Sequence, residues 1–170
     1  MLFVQRIWNW CRRFRHRCGY GVHSPSDFFL ITSVIYEGLP YYAYKELKRH
    51  PLQKTLPHYR EKVNRLLFRL VNYFRPSTLI EVGEGNGDAI RYMRSARSSM
   101  VSVSLTGLEK EKTMRQLEAE LVKMKKVDFL HIGHTPYYME VFEAVFPSLN
   151  EHSCVLVGDI YASKEREAWW

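Results

Sequence analysis

Apolar residues follow two rhythms along this chain. From His58 to Phe74, Val63, Leu66, Leu67, Leu70, Val71 and Phe74 recur three and four positions apart, with Arg60, Lys62, Arg65 and Arg69 between them. That period gathers them on one side of an amphipathic helix, which ends before Pro76. Thr78–Val82 is instead a short, mostly apolar and β-branched run, the pattern of a buried strand. The two rhythms then alternate. Asp88–Ala96 reads as a helix, Met100–Leu105 as a strand, and Leu108–Lys126 as a charged helix with Met114, Leu117 and Leu121 inward. Val127–Ile132 is the next strand, and Thr135-Pro136 caps a helix through Tyr138, Val141, Phe142 and Val145. Ser153–Ile160 closes the series as an apolar strand. Alternation of this kind predicts an α/β fold with a mostly parallel, Rossmann-like sheet of about four strands.

The first strand runs into Gly83-Glu-Gly-Asn-Gly87. Gly83, Gly85 and Gly87 permit a tight turn and let a ligand approach where a Cβ would stand in its way. In open α/β sheets the carboxyl ends of the strands are where small molecules bind. A dinucleotide fingerprint would place its third glycine at position 88, where this chain has Asp88. A glycine-rich turn with no ligand is the plainer alternative.

Charge divides the chain. Residues 1–75 carry 14 Lys+Arg against 4 Asp+Glu, a balance of +10, and residues 76–170 carry 11 against 14, a balance of −3. Met1–Tyr20 contains no acidic residue, and Arg6, Arg12, Arg13, Arg15 and Arg17 interleave with Phe3, Ile7, Trp8, Trp10 and Phe14. The spacing of Phe3, Ile7, Trp10 and Phe14 predicts an amphipathic basic helix, which could pack on its own domain, lie on a membrane surface or contact nucleic acid. Gly19 and Gly21 end it, and Ser24-Pro25 starts another helix. Residues 36–57, rich in proline and tyrosine, read as a loop with a short helix. Residues 1–57 are therefore read as a helical extension and 58–170 as the Rossmann-like domain. No run approaches the ~20 apolar residues of a membrane span. The odd set Cys11, Cys18 and Cys154 lacks the spacing of a disulfide framework and implies a reducing, cytoplasmic setting. Cys11, His16, Cys18 and His23 do not match the spacing of a structural zinc site.

Several motifs carry a resemblance. Glu81-x-Gly83-x-Gly85-x-Gly87 is similar to the first motif of class I S-adenosylmethionine-dependent methyltransferases. Gly19-Tyr-Gly-Val-His-Ser-Pro25, Tyr41-Tyr-Ala-Tyr-Lys-Glu46 and Leu66–Pro76 resemble, in that order, stretches of a methyltransferase-like family common in Bacteroidetes. The resemblance implies S-adenosylmethionine as cofactor and methyl transfer to a small oxygen nucleophile. It implies that Gly83, Gly85 and Gly87 line the cofactor loop and that Glu81 steadies the loop's amides. Asp159 then faces the acceptor or the methionine amine.

The chain departs from that family at three acids. Thr106 stands where an acid grips the cofactor ribose, Gly133 where related metal-dependent enzymes have a metal ligand, and Gly158 precedes the one acid kept in the last motif, Asp159. One carboxylate is a poor site for a hard cation, so no metal is expected. His23 could be catalytic but is read as a histidine that caps or packs a turn. His131 and His134 could serve a metal or a proton transfer, but with no acidic partner pattern beside them in sequence they are read as structural. The alternative to an enzyme is a binding or interaction module that kept the fold and lost the chemistry. The sequence stops at Trp170, ahead of the family's last strands. Strand 153–158 would then form a sheet edge open to a partner chain or a second copy.

Overall fold

Leu79, Ile80, Glu81, Val82 and Gly83 are all buried, which puts the strand Thr78–Gly83 (β1) at the centre of the sheet in a computed structural model of the chain. The structure describes residues 7, 8, 11, 19–49, 58–84, 87–158 and 160. Two compact units divide it, Met1–Pro40 and Tyr41–Trp170.

In the first unit Ser24 caps the helix Pro25–Phe29 (α1), its hydroxyl accepting from the Asp27 amide at 3.4 Å, and Pro25 occupies the first turn as its fixed φ favours. The helix widens into a π-helical segment at Leu30–Ile35. Of the basic helix expected over Met1–Tyr20, residues 7, 8 and 11 are described as helical, with Ile7 and Trp8 exposed. Residues 1–6, 9, 10 and 12–18 lie outside the described residues.

The second unit begins with the helix Tyr42–Arg49 (α2), followed by His58–Phe74 (α3). Tyr44 of α2 packs edge-on against Phe68 of α3 with ring centroids 5.1 Å apart, and its hydroxyl donates to the Arg65 carbonyl at 3.3 Å. Glu61 receives Lys48 at 2.8 Å and Arg65 at 2.6 Å, and the Lys48 hydrogen bond leads the causes that hold its carboxyl below the usual range. These contacts tie α2 to α3, so the unit begins earlier than the boundary after residue 57 read from the sequence.

Four parallel strands form the sheet, in the order β2-β1-β3-β4: Val101–Thr106 (β2), β1, Phe129–Ile132 (β3) and Cys154–Val157 (β4). The helices Asp88–Ala96 (α4), Lys110–Met124 (α5) and Tyr138–Val145 (α6) connect them. This is the α/β, reduced Rossmann-like fold expected from the alternating pattern. Side chains of a strand alternate between faces. Ile80, Val82, Leu130 and Ile132 join Leu117, Val141 and Val145 in one core, while Leu79, Glu81, Phe129 and His131 take the opposite face. Among the described residues β2 and β4 are the outer strands. No helix among them is long and apolar enough to cross a membrane.

The amphipathic face of α3 is rotated from the expected one. Leu67, Leu70 and Val71 are buried as predicted, but Val63 and Phe74 are exposed, and Asn64 and Phe68 take the inward places. Thr135 does not cap α6. Tyr137 precedes that helix without a side-chain cap bond, and Thr135 Oγ1 is buried without a hydrogen-bond partner.

Asp128 clamps the amino ends of β1 and β3. Its Oδ2 accepts from the amides of Ser77 (2.8 Å) and Thr78 (3.1 Å), and the Asp128 amide donates back to Thr78 Oγ1 at 3.0 Å. A carboxylate holding two amides contributes about 1.5–3 kcal/mol. Asp128→Ala should therefore lower unfolding stability by about 2 kcal/mol in urea titration, with Asp128→Asn losing less. Burial pushes the Cys154 thiol up to about 11, so it stays protonated through neutral pH. Alkylation followed by mass spectrometry should label the exposed Cys11 first, with Cys154 reacting only near pH 11 or on unfolding.

Candidate functional site

Every strand of the sheet runs into a glycine. Gly83 ends β1, Gly107 follows β2, Gly133 follows β3, and Gly158 follows β4. The ladders continue onto these residues: Gly133 donates to the Val82 carbonyl at 2.8 Å, Gly158 to the Ile132 carbonyl at 2.7 Å, and Gly107 to the Gly83 carbonyl at 3.1 Å. The chain leaves β1 toward β2 and later crosses back to β3 on the other side, so strand order reverses between β1 and β3. At such a switch point the loops diverge and leave a crevice beyond the strand ends.

A cavity of about 520 Å³ lies there, a size ordinary for small-molecule sites. Its backbone-lined part comes from Gly83, Gly87, Gly133 and Gly158. Glu81 and His131, which share one face of the sheet, also line it, and Asn64 and Leu67 of α3 form a wall. Thr106 lines it from the end of β2. Around it stand three carboxylates, Glu81, Glu84 and Asp88, and Arg60 is the single Lys or Arg among the residues that line it.

Gly83 has φ +143°, and a Cβ there would stand 3.0 Å from the Gly133 Cα, so two backbones meet where no side chain fits. Gly87 takes φ +80° as the residue before α4, which brings the amino end of that helix to the cavity. By contrast, a Cβ on Gly133 would meet nothing closer than 3.6 Å, and one on Gly158 nothing closer than 3.5 Å.

Of the residues singled out in the sequence, Glu81, Gly83, Gly87 and Thr106 all line the cavity. Gly85 and Asp159 lie outside the described residues, though Gly158, beside Asp159, also lines the cavity. The Glu81 carboxylate spans three strands: its Oε2 accepts from Ser104 Oγ at 2.7 Å and its Oε1 faces His131 Nδ1 at 3.5 Å. The amides of Gly85 and Asn86, which it was expected to steady, lie outside the described residues. Ser104 Oγ lies 3.4 Å from Thr106 Oγ1, which extends the polar line toward the end of β2.

The two histidines set aside in the sequence also return. Their acidic partners are close in space: parallel register sets Glu81 opposite His131, and a bridge pairs Glu84 with His134, whose Nε2 lies 4.0 Å from Glu84 Oε2. One signal could have found the buried pair. Glu81 stands two residues before the glycine that ends its strand, and His131 two residues before the glycine that follows its own. Among the described residues, no three His, Cys, Asp or Glu stand together as a metal-binding group.

Gly83→Ala should cost about 1–3 kcal/mol, because alanine would carry both a rarely populated φ and a backbone clash. Gly133→Ala should cost less, since its Cβ has room; paired thermal melts compare the two. Comparisons with protein-family models, curated proteins and solved structures find no match.

Proposed function

We propose that the cavity at the switch point binds S-adenosylmethionine and that the protein is an O-methyltransferase-like enzyme acting on a small oxygen nucleophile. One observation carries the reading: a glycine-tipped crevice of ligand size, with carboxylates outnumbering the arginine beside it. S-adenosylmethionine brings a sulfonium and an ammonium, and anionic groups in a partly buried site favour both. The fit extends to the backbone. Gly83 and Gly87 keep the crevice free of Cβ atoms, and the close Gly83–Gly133 approach fixes its shape.

When bound, the cofactor supplies an electrophilic methyl group. The protein's part is to align an acceptor with that methyl and to keep competing water out, which accounts for much of the rate in such reactions. Glu84 adds negative charge at the cavity, while Asp88 beside the helix end shares its charge with Arg91 at 3.5 Å. Thr106 offers a ribose hydroxyl one hydrogen-bonding group where a carboxylate would accept two bonds.

A second reading has its own support. Thr106 in place of an acid is what a binding module descended from an enzyme would carry, because the site then holds cofactor more weakly.

Titration calorimetry with S-adenosylmethionine tests both. Measurable heat supports the cofactor site, and no heat at millimolar cofactor overturns it. Thr106→Asp should tighten binding by about tenfold or more, since a charge-assisted hydrogen bond contributes ~1.5–3 kcal/mol. Binding without methyl transfer to any hydroxyl acceptor would leave the binding-module reading in place.

A further inference from the structure

The pocket buries two ionisable side chains on adjacent strands. Glu81 and His131 occupy matched register positions on β1 and β3, with side-chain exposures of 5% and 9%. Burying such a pair is expensive, and well-packed apolar residues in its place are often neutral or stabilising. Their spacing is also unlike that of a settled structural pair. His131 Nδ1 lies 3.5 Å from Glu81 Oε1, beyond hydrogen-bonding distance for an N–H donor, and is a buried nitrogen with no hydrogen-bond partner. In sites without their ligand, bonds between catalytic groups are commonly long and tighten when the ligand arrives.

The ring's two nitrogens have different surroundings. Nδ1 is buried and turned toward Glu81, so a proton on it meets a carboxylate. That partner favours the tautomer with Nδ1 protonated and Nε2 bare. Since His131 lines the cavity, Nε2 is the nitrogen left to meet a ligand. Ser104 holds the other carboxylate oxygen at 2.7 Å and so fixes the plane of Glu81.

From this geometry we infer that His131 is the proton acceptor of the site and that Glu81 is its positioning residue. The inference rests on the cofactor reading above and adds the acceptor's chemistry, a hydroxyl that must lose its proton, such as a phenol. His131 Nε2 takes the hydroxyl proton as that oxygen forms its bond to the methyl carbon. The carbon–sulfur bond breaks with its electron pair passing to sulfur, which ends as a neutral thioether. The resulting imidazolium carries its charge beside Glu81.

Nuclear magnetic resonance of the ¹⁵N-labelled full chain gives the first test, without turnover. The His131 ring, assigned by its loss in His131→Gln, should be in the Nδ1–H tautomer, and Glu81→Gln should move it toward Nε2–H. An Nε2–H tautomer in the unaltered protein overturns the inference. The second test uses S-adenosylhomocysteine for binding and catechol as the acceptor probe. His131→Gln should bind S-adenosylhomocysteine within a few-fold of the unaltered protein. Its single-turnover methyl transfer to catechol should fall by about 10²–10⁴-fold, the range for loss of a general base. Added imidazole should restore part of the rate in His131→Gly. A rate that does not depend on His131, or cofactor binding with no transfer to catechol in the unaltered protein, overturns the inference alone. No binding heat in the unaltered protein overturns the cofactor reading with it.

Discussion

Register between β1 and β3 is the constraint on which the rest of the structure depends. Side chains on a strand alternate in direction, so a slip of one residue would turn every side chain of one strand to the other face. Leu79 pairs with Phe129, Ile80 with Leu130, Glu81 with His131 and Val82 with Ile132. The first and third pairs face one side, the second and fourth the other. Asp128 fixes this alignment at the amino ends by gripping the amides of Ser77 and Thr78. At the carboxyl ends the close passage of Gly83 over Gly133 fixes it again. Between these two points, the strands bring one carboxylate and one imidazole together under α3.

The same alignment carries a cost in stability. Leu79, Ile80, Val82, Phe129, Leu130 and Ile132 are fully buried apolar side chains, so a carboxylate and an imidazole among them forgo apolar burial at two central positions. Ser104 offsets part of the loss by donating to Glu81, and the cavity beside the pair leaves it in reach of solvent or ligand. Polar groups in such a position are better explained by what they meet in the cavity than by what they add to the core. The contrast with Glu61 is instructive: that carboxylate sits between Lys48 and Arg65 at the α2–α3 contact, and its lowered pKa reflects a stabilising role.

Much of the sheet was legible because strong periodicity leaves few alternatives. The strand at Thr78–Val82, its glycine end and the helices flanking it followed from the spacing of apolar residues. The exact face of α3 did not. Val63 and Phe74 fit the helical period, yet Asn64 and Phe68 are the ones buried, because the ring cluster with Tyr44 and Tyr92 and the neighbouring cavity decide which stripe turns inward. The partner of Glu81 was hidden for a different reason. His131 lies 50 residues away, a separation given by the positions themselves, and only strand register brings the two together. Thr135 looked like a helix cap by residue type, but its hydroxyl is buried and α6 begins three residues later. Local chemistry proposes a role; tertiary packing can withdraw it.

The glycines at the strand ends are not equivalent, and this sets how the site could change over time. Gly83 is locked by another backbone, so the crevice keeps its outline under substitution elsewhere. At Gly133 and Gly158 an added Cβ would meet its neighbours only at ordinary contact distance, 3.5 Å or more. An aspartate at either place would bring a carboxylate to the wall of the cavity, which both glycines line. Single substitutions at these two strand ends would therefore change the charge of the crevice while leaving in place the outline set by Gly83.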